Sequence, residues 1–98
     1  MCGAPAQNLD RSGIPDGETV VQGRVVRDGQ PVTGAYVRLL GESDEFTAEV
    51  VTSAAGVFRF FVKPGSWTLR VLAPGSLSGT AKVSVSEGDV EETEISVA

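Results

Sequence analysis

The segment VFRFFVKPGSWTLRVLA, residues 57–73, carries the strongest structural signal in the chain. Large apolar side chains alternate with polar ones on both sides of Lys63-Pro64-Gly65, and this period of two residues is typical of half-buried β-strands. Pro followed by Gly favours a type II turn. We therefore predict a tight hairpin made of two strands, at residues 57–62 and 66–73.

The same pattern continues outward from this hairpin in both directions. Short runs rich in Val, Phe and Thr are separated by clusters of Gly, Pro, Asp and Ser, one of which, Asp28-Gly29-Gln30-Pro31, is predicted to be a turn. The runs predict seven strands, at residues 19–27, 35–40, 46–53, 57–62, 66–73, 81–85 and 91–97. No segment has the 3.6-residue apolar period of a helix. We therefore predict an all-β protein, a seven-stranded antiparallel sandwich.

The chain is long enough for one domain, with 98 residues of which 41% are hydrophobic. Residues 1–17 differ from the rest because they contain three Gly and two Pro and have no periodicity. We predict a flexible or loosely docked N-terminal arm at residues 1–17 and a β-sandwich domain at residues 18–98.

Charge and composition narrow the range of partners. The net charge is −5, and the eight basic residues are scattered from Arg11 to Lys82, so nucleic acid is not an expected partner. No apolar run approaches the ~20 residues that span a bilayer, so no membrane association is expected. The first residues do not resemble a secretion signal, and the chain has a single cysteine, which together predict a cytoplasmic protein.

The predicted last strand contains Glu91, Glu92 and Glu94. Charges of one sign on a sheet edge oppose pairing with another chain. We therefore expect a monomer or a weak dimer.

Conventional catalysis has little support in the sequence. The chain has no histidine, which removes the usual Ser-His-Asp and Cys-His designs and every His-based metal site. One cysteine cannot supply a thiolate metal site, and no phosphate-binding loop motif is present. We expect no enzyme activity, no cofactor and no metal.

Cys2 is the one strongly nucleophilic side chain in the sequence. If Met1 is trimmed, the Cys2 thiol lies beside a free α-amine on an arm rich in Gly and Pro, where it is accessible and more acidic than an ordinary thiol. Such a thiol can attack a persulfide or disulfide sulfur. The alternative is that Cys2 is exposed, inert and incidental.

Two clusters are candidate docking surfaces. Asp44, Glu45 and neighbouring acidic residues lack the ligand order of a calcium site, so they form either a solvated loop or a patch for a basic partner. Phe46 among them is expected to plug the end of the sandwich, with a docking anchor as the alternative. Four arginines, Arg24, Arg38, Arg59 and Arg70, fall on the outward phase of their strands. They form a basic stripe for an acidic partner or a small anion if their strands are neighbours. Otherwise they pair with carboxylates such as that of Glu49.

Two parts of the sequence resemble carboxypeptidase regulatory-like domains. The first is GRVVRDGQPVTGAYVRL, residues 23–39, and the second comprises GVFRF, residues 56–60, and PGSWTLRV, residues 64–71, with Trp67 where that family usually has Tyr. The resemblance implies a transthyretin-like sandwich of seven strands.

A second resemblance covers nearly the whole chain. Met1-Cys2, TVVQGRVV at residues 19–26, SDEFTAEVV at residues 43–51, FRFF at residues 58–61 and PGSWTLR at residues 64–70 are similar to the small actinobacterial SseC family, which is labelled "sulfur metabolism". This resemblance implies a non-enzymatic accessory protein that carries sulfane sulfur on Cys2 and works with a rhodanese-type sulfurtransferase. An interaction or scaffold module without a role for Cys2 is the alternative.

Overall fold

The computed structural model describes residues 13–98, which form eight β-strands and no helix. The strands are β1 (Val20–Arg27), β2 (Gln30–Pro31), β3 (Tyr36–Leu40), β4 (Phe46–Val51), β5 (Val57–Phe61), β6 (Gly65–Ala73), β7 (Leu77–Val85) and β8 (Val90–Ser96). Each of the seven predicted strands is present, and the all-β fold class is confirmed. The extra strand is β2, which lies within the predicted turn.

The strands form two sheets. In the first sheet β1 lies between β8 on one side and β5 and the short β2 on the other, and the second sheet has the order β4-β3-β6-β7. Asp28 and Gly29 connect β1 to β2 with φ values of 51° and 80°, as a two-residue hairpin turn of the primed type requires. Two hydrogen bonds between Ser78 and Ala98 link the end of the chain to β7 and close one side of the sandwich.

One strand pair departs from the predicted antiparallel arrangement. β8 runs parallel to β1, with Val20 opposite Val90 and Val26 opposite Ser96. The chain leaves β7 in the second sheet, turns at residues 86–89 and enters the first sheet in the direction of β1. Alternation in the sequence is the same for parallel and antiparallel neighbours, so it contains no information on this direction.

The predicted hairpin at Pro64-Gly65 is wrong. β5 pairs with β1 in the first sheet, whereas β6 pairs with β3 and β7 in the second, so Lys63-Pro64-Gly65 is a crossing between sheets. Gly65 has a φ of 141°, which is not the value of a type II turn. The indole N–H of Trp67 donates to the carbonyl of Lys63 at 2.9 Å and fixes this crossing.

The core lies between the two sheets and follows the predicted alternation. The buried side chains that fill it from the first sheet are Val21, Val25, Phe58, Phe60 and Ile95, and those from the second sheet are Val37, Leu39, Leu69, Val71, Val83 and Val85. Gly23 on β1 faces the same core, where an added Cβ would fall on the carbonyl oxygen of Thr93. The central strand therefore requires a glycine at this position.

Candidate functional site

An apolar row crosses the outer face of the β4-β3-β6-β7 sheet. Tyr36 on β3 lies opposite Val51 on β4 and opposite Leu72 on β6. These side chains are 51%, 55% and 48% exposed, whereas their neighbours Val37 and Val71 are fully buried in the core. A large exposed apolar patch, unlike a single exposed residue, is characteristic of an interaction surface.

Beside this row lies an open groove of about 610 Å³. Its lining includes Tyr36 and Leu72, together with Pro74 from the β6–β7 connection and Leu77 at the start of β7. Ser76 in that connection has a φ of 63°, in the left-handed region. The groove is large enough for an apolar side chain of a partner to pack against Tyr36 and Leu72.

A charged row lies one pleat further along the same face. Arg38 is opposite Glu49 on β4 and opposite Arg70 on β6. The Nε of Arg38 donates to Glu49 Oε2 at 2.7 Å. Arg70 is exposed and has no carboxylate within 4.0 Å among residues 13–98. We call Tyr36, Val51, Leu72, Arg38 and Arg70 the docking face.

Phe46 is at the far end of this face and is 62% exposed, so the prediction that it plugs the core is wrong. Strict alternation along β4 would put Phe46 on the inward side with Ala48 and Val50. A register shift between Leu39 and Leu40 instead brings Leu40 opposite Phe46 and turns the ring outward. A one-residue irregularity reverses the face of every side chain beyond it.

The predicted acidic cluster is a tightly ordered loop. The N–H of Gly41 donates to the carbonyl of Glu45 at 2.9 Å, and the Glu45 carboxylate accepts the N–H of Ser43 at 3.0 Å. Asp44 is exposed with a φ of 61°. Glu45 therefore stabilises its own loop, and Asp44 is the more available of these two carboxylates.

The structure divides the four candidate arginines between opposite faces. Arg38 and Arg70 lie on the docking face, but Arg24 and Arg59 lie on the outer face of the first sheet. Arg24 pairs with Glu94 at 3.4 Å, and the Nε of Arg59 donates to Gln22 Oε1 at 2.8 Å. A single basic stripe is not formed, because β1 and β3 belong to different sheets.

The outer face of the first sheet is closed around β1. Gln22 points outward, yet it is fully buried, and its side-chain amide donates to Glu92 Oε2 at 3.1 Å. The outward-facing Val20 and Val26 are also buried. Phe61 on the edge strand β5 is 52% exposed. The two faces of the sandwich therefore differ, since the central strand of one is covered and the central strands of the other are open.

Cys2 lies outside the described residues. Of the predicted arm, residues 13–17 are described. The N–H of Glu18 donates to the carbonyl of Pro15 at 3.3 Å, and a Cβ added at Gly13 would lie 3.5 Å from Nη1 of Arg59. Within residues 13–98 no group of three or more acidic residues, His or Cys could hold a metal ion. No helix in the same part of the chain is long and apolar enough to cross a membrane.

The sequence predicts only part of the docking face. The run AYVRLL, residues 35–40, already puts Tyr36 and Arg38 on one side of a strand. The sequence does not contain the register that places Val51 and Leu72 beside Tyr36, so the apolar row was missed.

Fold and surface define a small β-sandwich protein with one covered and one open face. Residues 2–97 match a family model described as a protein of unknown function, DUF1416, and the chain belongs to this family. Two uncharacterized proteins of Mycobacterium tuberculosis H37Rv, Rv0814c and Rv3118, are each 52% identical to it over 100 residues. Each alignment covers 99% of this chain and 99% of the relative. An uncharacterized protein of Mycolicibacterium smegmatis is 52% identical over 82 residues, 83% of this chain and 90% of its own length. The resemblance to an actinobacterial family of unknown function is thus confirmed.

Two solved structures have a similar fold. The dioxygenase domain of a dioxygenase carbohydrate-binding protein fusion from Streptomyces sp. SirexAA-E matches with a TM-score of 0.63 and 16% identity, over 90% of this chain and 84% of that one. A DUF3823 family protein from Parabacteroides merdae matches with a TM-score of 0.59 and 17% identity, over 86% of this chain and 47% of that one. At these identities the likeness shows the fold alone.

Proposed function

We propose that this protein is a non-enzymatic interaction module that binds an extended segment of a partner protein on its docking face. The observation that carries the proposal is the row of Val51, Tyr36 and Leu72, three half-exposed apolar side chains side by side on adjacent strands. The corresponding central positions of the other sheet are buried.

The size of the face favours a segment over a second globular protein. Strands lie ~4.8 Å apart and rise ~3.3 Å per residue, so four strands of five to nine residues present roughly 460 Å². A stable interface between two globular proteins needs about 800 Å² from each partner. A second copy of this chain docked face to face would fall short of that area, whereas an extended peptide segment would fit along the groove.

Apolar contacts alone do not give a stable complex. Completing the burial of three half-exposed side chains contributes about 1 kcal/mol each. The sum of about 3 kcal/mol is well below the ~8 kcal/mol of a micromolar complex. A charged group on the same face, Arg70, must therefore contribute to binding.

Site-specific photo-crosslinking tests this proposal. A benzophenone amino acid replaces Leu72 in one variant and Phe61 in a matched control, because both side chains are apolar and about half exposed but lie on opposite faces. In the native host we expect position 72, and not position 61, to give one discrete adduct, which Tyr36→Ser abolishes. Equal adducts from both positions, or an adduct that is insensitive to Tyr36→Ser, would refute the docking face.

A second proposal concerns Cys2, the chain's single cysteine, and is supported by the sequence resemblance to the sulfur-metabolism family. The Cys2 thiolate attacks the outer sulfur of a persulfide on a rhodanese-type enzyme. The S–S bond of the donor breaks, Cys2 becomes the persulfide, and the donor cysteine leaves as a thiolate. The protein then acts as a cytoplasmic carrier of sulfane sulfur.

Intact-protein mass spectrometry separates the two proposals. After incubation with an active rhodanese and thiosulfate, the carrier proposal predicts a mass gain of one sulfur that reductant removes and that the Cys2→Ser variant lacks. If the wild-type mass is unchanged, Cys2 is not an acceptor and only the interaction module remains.

A further inference from the structure

Among residues 13–98, Arg70 is the exposed cation of the docking face that has no carboxylate within 4.0 Å. Its neighbour Arg38 already has one, since the Glu49 carboxylate is 2.7 Å from Arg38 Nε. On its other side Arg70 faces Thr80 of β7, which has no charge. Within the described residues, Arg38 and Arg70 thus lie opposite each other on β3 and β6, and only Arg38 has a carboxylate partner.

The chain as a whole is acidic, with a net charge of −5. An unpaired arginine next to a second arginine is unfavourable within the protein itself, because like charges directly across a sheet repel each other. A carboxylate supplied from outside would remove that repulsion. It would also form the bidentate, charge-assisted hydrogen bonds for which guanidinium is suited.

The spacing from Arg70 to the apolar row fixes where such a carboxylate must lie. Leu72 is two residues from Arg70 on β6, and both side chains point outward. Residues two apart on a strand lie on the same face about 6.6 Å from each other. An extended segment that runs along β6 has the same period, so its own side chains at positions i and i+2 meet Leu72 and Arg70 together.

We infer that the segment bound by the docking face is acidic and apolar, with an Asp or Glu two residues from a large apolar side chain. The apolar side chain packs in the groove against Tyr36 and Leu72, and the carboxylate pairs with Arg70. Arg38 remains paired with Glu49 and does not bind the carboxylate of the segment. This inference rests on the proposed function and specifies its partner.

A random peptide library displayed on phage provides the probe. Dodecapeptides are selected on the wild-type protein, and the enriched sequences are synthesised and measured by fluorescence polarisation. We expect an Asp or Glu two positions from Leu, Ile, Phe or Tyr in the enriched set. Replacing that acid by its amide is expected to weaken binding to the wild type about tenfold, since a charge-assisted pair contributes roughly one power of ten in affinity.

The same peptides are then measured on three variants that keep the core intact. Arg70→Gln is expected to show the tenfold loss for the acidic peptide and no further loss for its amide analogue. Arg70→Lys should recover part of the affinity, and Tyr36→Ser should weaken both peptides. This pattern of coupling identifies a direct pair and is not produced by a general loss of stability.

Two other results would contradict the inference, and they differ in what they imply for the docking face. Peptides that depend on Tyr36 but have no acidic preference, or that bind Arg70→Gln as well as the wild type, would overturn the inference and leave the docking face standing. A selection in which no peptide depends on Tyr36 would overturn the inference and the proposed docking face together.

Discussion

The residue Gln22 stabilises the covered outer face of the first sheet. It is a fully buried polar side chain that joins β5 to β8 across β1, because its oxygen accepts from Arg59 and its amide nitrogen donates to Glu92. Buried polar groups are stabilising only while they keep their hydrogen bonds. The covered face of the sandwich therefore depends on this glutamine.

Replacing Gln22 by Leu removes both hydrogen bonds with little change in volume. We expect the free energy of unfolding to fall by about 2 kcal/mol, since Arg59 and Glu92 each lose a partner. The matched control is Gln30→Leu, at an exposed position of β2. Urea denaturation measures both variants. A loss at position 22 no larger than that at position 30 would contradict the assigned role.

Gly23 is the second residue that constrains this strand. A Cβ at this position would meet the Thr93 carbonyl and the ring of Phe58, and neither can move without opening the β1–β8 pair or the core. We expect Gly23→Ala to lose about 3 kcal/mol or to fail to fold. Thr80→Ala on the exposed side of β7 is the control, and thermal unfolding followed by circular dichroism is the readout. A melting temperature close to the wild type would show that the backbone adapts.

Among the elements, β3 and β4 are joined by a buried hydroxyl. Thr52, directly after β4, accepts the N–H of Ala35 at 2.9 Å and donates to the carbonyl of Val32 at 2.8 Å. The segment that leads into β3 is thereby fixed to the end of β4. This connection sets the register that aligns Val51 with Tyr36.

Thr52→Val keeps the shape of the side chain and removes both hydrogen bonds. Because the Ala35 N–H is then buried without a partner, we expect the free energy of unfolding to fall by about 2 kcal/mol. Thr47→Val on the exposed part of β4 is the control. Hydrogen exchange should also quicken for the amides of β3 in the Thr52 variant. Unchanged exchange together with unchanged stability would show that the backbone pairing alone sets this register.

The elements also show what alternation in a sequence can predict. It gave the strands and the inward residues, such as Phe58 and Phe60, because burial on one side of a strand leaves a period of two. It did not give the direction of β8, the sheet change at Pro64-Gly65 or the outward turn of Phe46. Each of these depends on pairing between distant segments or on a one-residue register shift, and the local sequence pattern does not reveal either of them.

At the scale of the whole molecule, the same strands hold the core and present the docking face. β3 and β6 place Val37 and Val71 inside and Tyr36 and Leu72 outside. Binding and stability are therefore separable by substitution at adjacent positions of one strand. Cys2 was predicted from sequence alone as a sulfur-carrying residue, and that hypothesis is independent of this surface.

The double variant Tyr36→Ser, Leu72→Ser should keep the wild-type stability within about 1 kcal/mol, because both side chains are half exposed. The matched double variant Val37→Ser, Val71→Ser, one residue inward on the same strands, should unfold, since each buried Val→Ser change costs about 3 kcal/mol. Both are measured by chemical denaturation. Strong destabilisation by the outer pair would show that the apolar row is structural and not a binding surface.

The most direct test of the docking face is a nuclear magnetic resonance titration of the ¹⁵N-labelled protein with the acidic, apolar peptide selected above. We expect the shift changes to concentrate on the amides of β3, β4 and β6 around Tyr36, Val51, Arg70 and Leu72, and to disappear in Tyr36→Ser. Shift changes that centre instead on β1, β5 and β8, around Gln22 and Phe61, would place binding on the other face of the sandwich and refute the docking face.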